Sequence, residues 1–223
     1  MPFDASVKKQ INQYMTHIPD IGKIEEMFVF IKDDALRMRI VQEFYNARYI
    51  YKFFEGMNAK GEMLTVESRM QVIMFANIYE AVLHYILFTI YKDNPRVKAI
   101  QYTCEIKKIS IKKDKAELLK QFAIKTKNGE TIDVFPSYVA KSKMSETQIR
   151  FDSKAKCAEK LGLIDSTMRD FLIELYGFRN GIHLHAELRK GIVWDIKKSK
   201  DAYWKVEGFV KQIKERLKID KKI

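Results

Sequence analysis

The stretch Thr65–Tyr91, TVESRMQVIMFANIYEAVLHYILFTIY, decides how the chain folds. It is the most hydrophobic segment of the 223 residues and contains neither Gly nor Pro. A helix of this length makes about seven turns, close to what a bilayer span requires. Gln71, Asn77, Glu80 and His84 interrupt the apolar run, however, and its flanks carry no topogenic charge pattern. The stretch therefore reads as the buried central helix of a bundle, and no membrane partner is expected. Asn77, Glu80 and His84 stand at i, i+3 and i+7, so they form one polar stripe on an apolar rod. A buried stripe of that kind must find hydrogen-bonding partners.

Helical patterning also dominates on either side. Ala5–Ile18 is a short amphipathic stretch closed by Pro19, and Ile21–Lys32 and Asp33–Gly56 follow with apolar residues at helical spacing. Met57–Leu64, with two glycines, is a loop. After Pro95 the period changes. Ala99–Ile111 mixes apolar and basic residues in partial alternation, a short helix is expected near Lys115–Gln121, and Phe122–Lys127 and Glu130–Phe135 read as two strands around Asn128-Gly129 in a type I′ turn. Residues 97–140 are thus a small β-containing insertion in a domain covering 1–223. Asp152-Ser153 is expected to cap a helix ending at Gly162. Asp165-Ser166 caps the next, which runs through Phe171, Leu172 and Leu175 and stops before Gly191. A last amphipathic helix, Asp201–Leu217, offers Trp204, Val206, Phe209, Val210, Ile213 and Leu217 to the core. The fold class is mainly α, a helical bundle with a small β-hairpin-containing insertion.

Composition narrows the function classes. Nine Gly and four Pro favour long regular elements. Two cysteines, Cys104 and Cys157, form no disulfide framework and sit in no metal-ligand spacing, so no metal or cofactor is expected. With no signal peptide at the start, a cytoplasmic location is expected. A net charge of +12 suits a polyanion, most economically nucleic acid, and equally an acidic protein.

One segment carries chemistry: Phe178-Arg179-Asn180-Gly181-Ile182-His183-Leu184-His185. A guanidinium and an imidazole are the pair that metal-free RNA cleavage needs, a fixed positive charge beside a group that moves protons near neutral pH. With a Glu on a central helix, this arrangement resembles the HEPN superfamily, whose hallmark is Arg, four to six residues, then His, often with Asn after the Arg. Five residues lie between Arg179 and His185, Asn180 matches the polar neighbour, and Glu80 looks like the acidic residue of an earlier bundle helix. The commonest family spacing falls on Leu184, flanked by His183 and His185. Family spacing favours His185, while i, i+4 geometry on an ideal helix favours His183, and Gly181 is placed to alter that geometry.

The resemblance implies a HEPN-like bundle and a metal-independent endoribonuclease acting on RNA as a homodimer. Such an enzyme is a toxin or phage-defence effector held by an antitoxin or regulatory protein. Arg179 would hold the scissile phosphate, His185 or His183 would move the proton, Asn180 would orient phosphate or imidazole, and Glu80 would fix the tautomer or neutralise Arg179 at rest. The alternative is a non-catalytic HEPN-like module binding RNA, nucleotide or protein. Structural roles stay open too: Arg179 pairing with Glu174 or Glu187 on a solvated face, and Asn77, Glu80 and His84 as a satisfied core network. A helix–turn–helix-like Ser153–Tyr176 would bind DNA, but its second helix is apolar where a recognition helix is polar.

Overall fold

The computed structural model of the chain describes residues 4–132, 134–182 and 184–223. Two compact units emerge: Met1–Val97 together with Arg150–Ile223, and Lys98–Ile149. The chain is mainly α-helical, as its periodicity indicates.

The first unit opens with α1 (Ala5–Met15), α2 (Ile21–Met27), α3 (Asp34–Gly56) and α4 (Glu62–Tyr85). Asp33 starts α3 by accepting from Leu36 N, and Gly61, at φ +57°, turns the chain into α4. Beyond Tyr85 the helix loosens into a π turn, Ile86–Ile90, before α5 (Pro95–Ile100). Glu62–Ile90 is long and apolar enough to cross a membrane, yet more than half of its most apolar window is buried inside the protein. It is the core of the bundle. Val72, Phe75, Tyr79, Val82 and Leu83 are fully buried, each side chain worth about 1.5–3 kcal/mol on transfer from water.

Around α4 lie α3 and, after the second unit, α7 (Phe151–Lys160), α8 (Ser166–Asn180) and α10 (Ile196–Ile219). Phe75 meets Phe44 of α3 edge-on at 5.7 Å, and Tyr79 is held between Phe171 of α8 and Phe209 of α10. The Tyr79 hydroxyl donates to the Ala202 carbonyl at 2.8 Å, so this fully buried side chain leaves no orphaned donor.

Three expectations need correcting. The helix after the insertion starts at Phe151 with no side-chain cap, and Asp152 instead accepts from Arg150 at 3.0 Å. The following helix is capped by Asp165, which accepts from Met168 N, but it stops at Asn180; a separate short helix, α9 (Leu184–Lys190), follows. A Cβ on Gly181 would lie 2.1 Å from the terminal methyl of Ile192 and 3.1 Å from the Phe178 carbonyl oxygen, so glycine allows close packing at the break. Finally, α10 begins at Ile196, with Asp195 accepting from Lys198 N, and carries Trp204 on its outer face, 70% exposed rather than in the core.

The second unit contains β1 (Tyr102–Lys108), α6 (Lys113–Leu119) with a 3-10 turn over Lys120–Phe122, β2 (Ile124–Lys125), β3 (Thr131–Ile132) and β4 (Ser137–Lys143). Its principal pairing joins β1 to β4, antiparallel, from Tyr102↔Lys143 to Lys108↔Ser137. The hairpin read around Asn128-Gly129 exists as β2–β3 but is only two residues long on each strand. Its turn is not type I′. Gly129 N donates back to Thr126 O and only Gly129, at φ +80°, is left-handed, which is the three-residue hairpin loop ending in a glycine bulge. Asp133, within the strand expected over Glu130–Phe135, lies outside the described residues.

Candidate functional site

The C-terminal turn of α8 carries Tyr176, Arg179 and Asn180. Tyr176 and Arg179 are three residues apart and so share one face of the helix. Arg179 Nη1 donates to the Tyr176 hydroxyl at 3.2 Å and to Asn180 Oδ1 at 3.1 Å, while the guanidinium carbon stands 5.0 Å from the Tyr176 ring centre. Both acceptors are neutral. Among the described residues Arg179 pairs with no carboxylate, so most of its five N–H donors and all of its charge remain available.

From Tyr176 the polar chain continues inward. Its hydroxyl donates to Glu80 Oε1 of α4 at 3.2 Å. The same Glu80 oxygen stands 4.0 Å from Lys154 Nζ of α7, and that ammonium lies 3.5 Å from His84 Nδ1, one turn along α4 from Glu80. Lys154 is almost completely buried, at 2% exposure. Its position is unexpected because Phe151, Lys154, Ala155 and Ala158 form the apolar face of α7, where a charged side chain is tolerated only with partners. Phe151 stacks on Tyr176 with ring centres 4.2 Å apart and planes 15° from parallel, fixing the phenol on which the relay depends. Burial pushes the Tyr176 phenol up, Glu80 reinforces this, and Arg179 partly offsets it. Tyr176 is thus a neutral O–H donor at pH 7.

Of the residues singled out from sequence, the fold joins Arg179, Asn180 and Glu80, with Tyr176 as the link. Asn77 belongs elsewhere: it lines a cleft with Arg39, Ile40 and Glu43 of α3, so the three-residue stripe is divided between two neighbouring helices. His185 is exposed on α9, beyond the break at Gly181, and His183 lies outside the described residues. The ion pair between Arg179 and Glu187 does not form. Glu187 is instead gripped by Arg69 Nη2 through both oxygens at 2.6 Å and accepts from Trp194 Nε1 at 3.1 Å. That clasp ties α9 and the following connection to α4.

Tyr176, Lys154 and Phe151 escaped sequence reading. Lys154 was detectable as a lone charge on an apolar helical face. Tyr176 carries no comparable signal, since an aromatic at that spacing reads as core. Among the described residues no group of three His, Cys, Asp or Glu side chains is placed to hold a metal ion. No family model, curated protein or solved structure matches the chain.

Proposed function

We propose that the chain is a metal-independent endoribonuclease of the HEPN kind, with Arg179 as its phosphate-binding group. The observation that carries this reading is the guanidinium held only by neutral acceptors, Tyr176 and Asn180, at the surface end of a buried polar chain. An arginine positioned this way keeps its fork of donors for a planar or tetrahedral oxyanion. The net charge of +12 draws RNA toward it by long-range attraction.

In this reaction the ribose 2′-oxygen attacks the adjacent phosphorus and the bond from phosphorus to the 5′-oxygen breaks. The products are a 2′,3′-cyclic phosphate and a 5′-hydroxyl. Arg179 stabilises the charge that gathers on the non-bridging oxygens. A histidine, His185 or His183, takes the 2′-hydroxyl proton or delivers one to the leaving oxygen. Glu80 acts through Tyr176 and is a positioning residue. Two copies facing each other across Arg179 would complete the cleft, and an inhibitory protein would restrain it in the cell.

The test is incubation of the purified protein with single-stranded RNA in EDTA, with analysis of the new 3′ ends. Cyclic phosphate ends that vanish in Arg179→Ala support the reading; intact RNA rejects it. A second reading rests on His185 standing on a separate helix, exposed, with no contact to Arg179: a module that binds RNA without cutting it. RNA binding that needs Arg179 but survives His185→Ala with His183→Ala, without cleavage by the parent chain, selects that alternative.

A further inference from the structure

On another side of α4, α3, α4 and α10 enclose a cavity of about 290 Å³ whose wall includes Arg48, Tyr51, Gln71, Lys200, Tyr203 and Trp204. Gln71 and Glu80 are nine positions apart on α4, about 14 Å along the axis and about half a turn around it. This cavity is therefore separate from the Arg179 centre.

Its polar groups are satisfied to different degrees. Lys52 is neutralised, since its Nζ stands 2.5 Å from Glu55 Oε2, which also accepts from Tyr14. Lys200 acts on the buried Glu67 carboxyl, while Arg48 forms no ion pair among the described residues. Arg48 is stacked, with its guanidinium carbon 4.2 Å from the Tyr203 ring centre and 5.2 Å from that of Tyr51, and its buried Nε–H meets no acceptor. Gln71 donates to the Ala47 carbonyl, and no donor reaches its own side-chain oxygen among the described residues. Burying a guanidinium donor without an acceptor is destabilising. Beside these cations Trp204 turns its indole outward, 70% exposed, edge-on to Tyr203 at 4.8 Å. Trp204 therefore offers a stacking face at the rim of a cavity that also holds Arg48 and Lys200.

We propose that this cavity binds a small organic anion with a planar ring, the anionic group meeting Arg48 and Lys200 and the ring lying on Trp204. Guanidinium and ammonium together match a phosphate or carboxylate, the indole supplies a stacking face, and the volume is at the lower limit for small-ligand pockets, about 300 Å³. Nucleoside monophosphates and aromatic carboxylates share this chemistry and are separated by the choice of probe.

The full-length chain provides its own reporter, because Trp194 is buried and Trp204 is exposed. Titration with UMP and with indole-3-acetate, followed by calorimetry and, for UMP, by indole fluorescence, should show saturable binding of at least one. The bound probe is expected to exceed its uncharged analogue (uridine or tryptophol) and inorganic phosphate by about ten-fold or more in affinity. Arg48→Gln should weaken it by about ten-fold or more, as should Trp204→Ala, a surface change that leaves the core untouched. Arg179→Ala should leave it unchanged, whether or not the chain cleaves RNA. The inference is overturned if neither probe binds at millimolar concentration, if phosphate alone binds as well, if Arg48→Gln and Trp204→Ala bind like the parent, or if Arg179→Ala abolishes binding.

Discussion

Tyr176 donates to Glu80 Oε1 at 3.2 Å across the interface between α8 and α4, two residues separated by 96 positions in the chain. Because Arg179 donates to the same hydroxyl, the phenol transmits the position of a half-buried carboxylate to a half-buried guanidinium without neutralising it. A direct Glu80–Arg179 ion pair would have spent the charge on the protein itself. The intervening Tyr is what keeps Arg179 available to a phosphate.

Tyr176→Phe removes that transmission and preserves the stack on Phe151. Stability should fall by about 0.5–1.5 kcal/mol, the ordinary net worth of a hydrogen bond. RNA cleavage under single-turnover conditions should drop by about ten-fold, against a loss of about a hundred-fold or more for Arg179→Ala. Equal losses in the two variants would mean that the hydroxyl does more than position the arginine.

Lys154 makes a contrasting prediction about stability. The ammonium is buried beside Glu80, at 4.0 Å, and His84, so its desolvation is weighed against the contacts it makes there. Lys154→Met replaces the charge by an apolar chain of similar length and should change stability by no more than about 1–2 kcal/mol, in either direction. Glu80→Leu removes the carboxylate 4.0 Å from that ammonium and the acceptor of the Tyr176 hydroxyl, and should cost more than Lys154→Met. Urea denaturation of the two variants decides this, and a Lys154→Met variant that fails to fold contradicts the argument.

The sequence revealed the bundle because its signals are local. Thr65–Tyr91 announces a core helix by composition, Asp165 caps α8 as its type and position indicate, and Gly162, at φ +71°, closes α7 as expected. The features that escaped depend on distant partners. Gly181 stands where a Cβ would crowd the tip of Ile192, eleven residues on, and no periodicity records that contact. Pairing of β1 with β4 was invisible for a related reason: Ile106 and Val139 face each other yet are 77% and 67% exposed, so neither strand alternates between a buried and a solvated face. Of the candidate site, Arg179, Asn180 and Glu80 were legible as residue types. Their connection through Tyr176 was not, since a tyrosine on an apolar helix looks like packing.

The Arg69–Glu187 clasp governs α9, the helix that carries His185. Glu187→Gln keeps an acceptor for Trp194 Nε1 and removes the charge that Arg69 grips through both oxygens. The expected cost is about 1–3 kcal/mol, that of a charged hydrogen-bonded pair. Limited proteolysis should cut faster between Asn180 and Gly191, with the rest of the bundle as resistant as before. Unaltered cleavage in that segment would show that other packing holds α9.

Glu67 sets the pH dependence of stability. It is 2% exposed and makes no hydrogen bond or ion pair among the described residues; burial, then Glu55, pushes its carboxyl from 4.5 to about 7, with Lys200 offsetting part of the rise. An unfolded chain releases this proton near 4.5, whereas the folded chain keeps it to about 7, so between those values the folded state binds more protons. Stability therefore falls as pH rises from about 4.5, and the loss is complete above about 7. A displacement of this size corresponds to about 3 kcal/mol. Glu67→Gln cannot ionise and escapes the penalty. Its stability relative to the parent should be near zero at about pH 4.5 and grow to about 3 kcal/mol in favour of the variant by about pH 8. Denaturant unfolding of both proteins across that range isolates the one carboxyl, because every other titrating group is common to the pair. A difference that stays flat with pH would show that Glu67 is ionised in the folded protein throughout.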